Sequence, residues 1–247
     1  MLPHRLLGIL GALGLTAALG SVAAAPADAR GHDPSAVADQ HQSLDFTSTA
    51  PSGEDWITGL NCCFPQYVAS ATASSGLPVE YSIAPESAHV CWIRQVYTDD
   101  PLFGSGAGIN FMGAGTCTVL ADQPGNDQYL PAPQAVQSFQ VEKVQTFMDR
   151  VRGKQGLPGH PAWFTARLET WDFIASNWLS VVPFIGQPVT FKVAGRPVCT
   201  GTTDSNGIAT CRGALLDSEL PTKRFIAVYS GNRDYARTYK SALFTVR

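Results

Sequence analysis

The chain has 247 residues and a formal charge of −3, with 17 basic and 20 acidic side chains mixed along its length. A protein that neutralises phosphates needs a basic stripe, so nucleic acid and other polyanions are not expected partners. Once an export leader is subtracted, the length suits one large domain or two of roughly 100 residues.

His4 and Arg5 precede an uncharged run from Leu6 to Leu19, which leads into the small residues Ala23 to Ala29. This is the layout of a secretory signal peptide over residues 1–29, with A-x-A cleavage sites after Ala25 or Ala29. No later stretch approaches the roughly 20 apolar residues that cross a bilayer, so a secreted mature protein without membrane insertion is expected. Residues 30–54 are polar and aperiodic, and read as a flexible leader in spite of Phe46.

A first unit follows over residues 55–142. Short runs bounded by Gly, Pro, Asn or Asp predict strands at Tyr67–Thr72, Leu77–Ile83, Val90–Val96, Gly108–Met112, Thr116–Ala121 and Val136–Val141. Between Phe139 and Val151 both a helix and a continued strand fit. Residues 143–162 read as a connector, because Gly153, Gly156, Pro158, Gly159 and Pro161 punctuate them. The second unit, 163–247, predicts strands at Thr165–Trp171, Pro188–Val193, Val198–Thr202, Ile208–Cys211, Phe225–Tyr229 and Ser241–Val246. Its Thr203–Gly207 hairpin turn brings Cys199 opposite Cys211.

One phrase is written twice. Gly125-Asn126-Asp127-Gln128-Tyr129 returns as Gly231-Asn232-Arg233-Asp234-Tyr235, each copy with an alanine four residues ahead, Ala121 or Ala227. An apolar run then leads to Val141 or Val246. The repeat is domain-sized and points to two related modules. The phrase carries too few oxygens for calcium and reads as a structural turn, with Gly and Asn at positive φ. Tyr129 and Tyr235 are expected to tuck in and bond backbone.

All six cysteines lie in the exported part, where oxidation is permitted, and their spacings do not fit zinc. The adjacent Cys62 and Cys63 leave several states open: a vicinal bond that stiffens a loop or acts as a switch, a mixed or intermolecular bond, or two thiols.

The stretch Ala71-Thr72-Ala73-Ser74-Ser75-Gly76-Leu77-Pro78-Val79-Glu80-Tyr81-Ser82, followed by Val90-Cys91, Gly113-Ala114-Gly115-Thr116-Cys117 and Ala121 to Asn126, resembles repeats of secreted bacterial immunoglobulin-like proteins. Gly186 to Phe191, Thr203 to Thr210 and Tyr229 to Asn232 are similar to a second such group. The resemblance implies an all-β fold of two tandem immunoglobulin-like antiparallel sandwiches. It also implies a Cys91–Cys117 bond beside Cys199–Cys211, and adhesive, spacer or carbohydrate-associated roles without catalytic residues.

Enzymatic readings find little support in the residues. Gly104 to Gly108 lacks the Lys-Ser ending of a phosphate loop and reads as turn glycines. The mature chain keeps only His32, His41, His89 and His160, and without a G-x-S-x-G elbow a serine triad would have to use His89. A carboxylate pair for glycoside hydrolysis is the remaining hydrolase alternative. The aromatic group Trp163, Phe164, Trp171, Phe173, Trp178 and Phe184 offers either core filling or a sugar-binding surface, with Trp163, Trp171 and Trp178 as its candidates. The expectation is a monomeric, non-enzymatic binding, adhesion or spacer protein with no cofactor or metal and an unidentified protein or glycan ligand.

Overall fold

Short alternating runs separated by turn residues can bury one face only as strands. The computed structural model describes residues 40–54, 65–156, 160–173 and 179–245, and the chain there is all-β, with single 3-10 turns at Pro85–Ser87 and Asp217–Glu219.

The first half holds β1 (Leu44–Phe46), β2 (Tyr67–Ala69), β3 (Ala71–Ala73), β4 (Glu80–Ile83), β5 (Cys91–Asp100), β6 (Gly104–Phe111), β7 (Gly115–Asp122) and β8 (Ala135–Val141). They form a β1-β3 pair and two three-stranded sheets, β2-β6-β5 and β4-β7-β8, all antiparallel. Ala69, Ile109 and Phe111 from one three-stranded sheet share a core with Cys117, Val119, Phe139 and Val141 from the other. The Cys91–Cys117 disulfide, with Cα atoms 5.8 Å apart, ties β5 to β7 and so joins those sheets.

The second half holds β9 (Thr146–Lys154), β10 (Ala162–Phe173), β11 (Leu179–Pro183), β12 (Pro188–Val193), β13 (Arg196–Thr202), β14 (Ile208–Gly213), β15 (Arg224–Tyr229) and β16 (Thr238–Thr245). One sheet runs β11-β10-β9-β16-β15-β12-β13. Along its other edge β10 pairs with β14 through Ala162–Arg167 and with β11 through Glu169–Phe173. Because β13 and β14 are joined by the Asp204–Gly207 turn and by Cys199–Cys211, the two ends of this sheet meet. Its core gathers residues of β9, β10, β12, β14, β15 and β16 around Phe164, whose ring lies 5.2 to 5.6 Å from Phe191, Phe225 and Phe244.

Two segments differ from the sequence expectation. Part of the flexible leader is structured: Gln42 and Leu44 are buried, and Phe46 packs on the first core. A three-residue strand is too short to show periodicity, and the buried Gln42 amide reads as polar until its partners are known. The expected connector, 143–162, contains the nine-residue strand β9, antiparallel to β10 and parallel to the end of β16. Gly153, which reads as a breaker, is a strand position where the Phe225 ring lies against the backbone and leaves no room for a Cβ. Smaller shifts follow the same logic. The Tyr67–Thr72 run divides at Ser70 into strands of different sheets, and all three glycines of Gly104–Gly108 lie within β6 rather than in a turn.

Candidate functional site

The repeated phrase folds the same way twice. Gly125 and Gly231 take φ of 81° and 78°, which glycine adopts without a Cβ penalty. Asn126 Oδ1 accepts the amides of Gln128 and Tyr129, and Asn232 Oδ1 those of Asp234 and Tyr235. Neither Asn is at positive φ, contrary to expectation: the side chain caps the turn instead.

The likeness extends to residues that the sequence does not show as repeated. Gln40 bridges Tyr129 in parallel, and Val144 bridges Tyr235 in the same way. Two residues further on, Gln42 Nε2 donates to Leu130 O at 2.7 Å and Thr146 Oγ1 donates to Ala236 O at 2.8 Å. The Tyr235 ring packs 4.3 Å from Phe184, and Tyr129 is half-buried. The copies differ at two positions, Asp127 against Arg233 and Gln128 against Asp234, and the second matters to packing: Asp234 Oδ1 accepts the Ala114 amide of the β6–β7 turn at 3.1 Å, so the second copy touches the first half.

Cys91, Cys117, Cys199 and Cys211 are all paired, and no free cysteine occurs among the described residues. Cys62 and Cys63 lie outside them. His41, His89 and His160 are exposed, and the described residues include no group of three or more His, Cys, Asp or Glu able to hold a metal. No helix among them is long and apolar enough to cross a membrane.

The aromatic candidates separate. Phe164 is core. Trp171 is half-buried, edge-on to Phe147 at 5.6 Å. Trp163 is 36% exposed, eight residues from Trp171 on β10, so at about 3.3 Å per residue the two cannot share one platform. Trp178 lies outside the described residues.

Trp163 instead has charged neighbours. Directly opposite it stand Lys154 on β9 and Arg212 on β14, both exposed. On the same face Thr165 lies opposite Arg152 and Thr210, and Arg167 opposite Asp149 and Ile208. Arg150, Arg152, Arg167, Thr165 and Ile208 line a depression of about 210 Å³, with Thr165 itself buried. The β9–β10 register slips between Thr165 and Arg167, and Arg150 takes φ 45°, a left-handed conformation unusual for arginine. Asp149 lies 3.7 Å from Arg150, and Glu169 3.0 Å from Arg167. Arg152, Lys154 and Arg212 make no ion pair among the described residues. This face was not anticipated, although the alternation Arg150, Arg152, Lys154 shows it once 146–154 is recognised as a strand.

The long β5 strand carries exposed Trp92 and Val96 on an edge of its sheet. Register irregularities between Ile93 and Gln95 and between Tyr97 and Asp100 interrupt it, as bulges do where edge pairing is discouraged.

Compared with known proteins, the chain matches no family model, no curated protein and no solved structure.

Proposed function

We propose that the protein is an exported, non-enzymatic binding or spacer protein acting at or outside the cell surface, built from two tandem immunoglobulin-like β-sandwiches. On this reading the modules begin earlier than the sequence suggests, near Gln40 and near Lys143. The observation that carries it is the doubled closure, in which Gln40 with Tyr129 and Val144 with Tyr235 make the same bridge beside the same Asn-capped turn. Each half also has its own apolar core and its own disulfide, a combination suited to oxidising compartments. The signal-like leader supports export.

The test uses the mature chain, residues 30–247, with isolated cell wall and culture proteins of its source, and in parallel with ester, peptide and glycan substrates. Saturable retention without turnover is expected. Turnover abolished by His89→Ala or by loss of a carboxylate would overturn the reading in favour of a hydrolase. Glycan binding is the second reading, and of the two candidate tryptophans among the described residues Trp163 supports it, through its exposure.

A further inference from the structure

We infer that the outward face of β9, β10 and β14 is a binding site for an acidic polysaccharide, with Arg150, Arg152, Lys154, Arg167 and Arg212 meeting its anionic groups and Trp163 stacking on a sugar ring. The inference rests on the reading of the protein as a binding module and names the ligand class. It also revises the sequence expectation that polyanions are poor partners. That expectation follows from charge averaged along the chain, whereas strand pairing collects on one face cations that lie up to 62 positions apart, from Arg150 to Arg212.

Three observations point the same way. Charge is the first: two carboxylates, Asp149 and Glu169, offset two of the five cations, and Arg152, Lys154 and Arg212 remain uncompensated. A concentration of one sign on a protein of net negative charge makes a local field that attracts an anion. Arginine forks bind carboxylate, sulfate or phosphate oxygens in pairs, which fits the depression bounded by Arg150, Arg152 and Arg167.

The second is the backbone. A left-handed arginine is a strained residue, and the bulge sets Arg150 on the rim of the depression with Arg152 and Arg167. The third is Trp163, a flat ring between Lys154 and Arg212, one row along the strands from Arg152. Rows on one strand face are about 7 Å apart, so the ring and the arginine depression form a continuous track rather than two isolated spots. A row of cations alone would suit any polyanion. The exposed tryptophan favours a chain of rings carrying charge.

The experiment measures binding of the full mature protein to polygalacturonate, to an uncharged glucan of similar length and to single-stranded DNA, by calorimetry and tryptophan fluorescence. Polygalacturonate is expected to bind, to weaken as salt rises, and to perturb tryptophan emission, with no binding of the glucan. Arg152→Glu combined with Arg212→Glu, and Trp163→Ala separately, are expected to weaken it about tenfold or more, the scale of one good contact. Arg150→Gly serves as a variant that relieves backbone strain while removing a guanidinium, so weaker binding with undiminished thermal stability supports the site. Binding unchanged by these substitutions would overturn the inference, as would tighter binding of single-stranded DNA. Absence of polygalacturonate binding while the wild-type protein is still retained on its cell wall would defeat the inference alone; absence of both would defeat the underlying reading as well.

Discussion

Asn126 and Asn232 each satisfy two backbone amides with one side-chain oxygen, a geometry that alanine cannot supply. Asn232→Ala is therefore expected to lower stability by about 0.5–2 kcal/mol in denaturant titration, and Asn232→Asp to retain most of it. Tyr229 makes a different kind of statement. Its buried phenol donates to Gln187 Oε1 at 3.3 Å, and burial pushes its pKa from 10.0 to about 12. Between those values the unfolded chain releases a proton that the folded chain keeps. Its contribution to stability is thus complete below pH 10.0 and is lost as pH rises through about 12. Tyr229→Phe should flatten that alkaline decline in thermal melts without abolishing it, because burial raises Tyr67, Tyr81 and Tyr235 too. On the acid side, Arg196 donates two hydrogen bonds to Glu219, which holds its carboxyl below the usual range. The Glu219 contribution is present above about pH 4.5 and lost below it, and Glu219→Gln should remove that part of the acid sensitivity.

At the level of elements, most strands are legible because alternation and turn residues are local signals. Val189, Phe191 and Val193 alternate with Thr190 and Lys192 and are all buried in β12. What sequence hides is what depends on partners. β9 carries a glycine that only the Phe225 ring explains, and β1 is three residues long and follows a buried glutamine. The twice-written phrase is visible, but its bridging residues are Gln40 and Val144, unlike in chemistry because a backbone bridge asks nothing of the side chain. The basic face is hidden for the same reason: register, not proximity in sequence, makes Arg212 a neighbour of Trp163. Two expectations test the packing of the second half. Phe164→Ala, at the centre of its aromatic core, should cost about 3–5 kcal/mol. Replacing Cys199 and Cys211 with serine opens a loop of 12-residue separation and should cost about 3 kcal/mol by the chain-entropy argument, read from denaturation midpoints.

For the whole molecule, the proposed reading has two modules, each closed by its own copy of one turn, making up the chain between Gln40 and Thr245. The halves meet where Asp234 receives the Ala114 amide, a contact that the first copy, with Gln128 in the matching place, does not provide. Asp234→Ala should leave both cores folded while loosening the joint, seen as a broader distribution of sizes in small-angle scattering. The most direct measurement of the claim is the thermal unfolding of residues 38–142 and 143–247 expressed as separate, oxidised polypeptides. Each is expected to show β-sheet circular dichroism and its own cooperative transition. A cut moved to residue 162 should abolish the transition of the second fragment, because it removes β9 from beside β10. If neither fragment folds alone, or if the second folds equally well without residues 143–162, the two-module account with these boundaries is wrong.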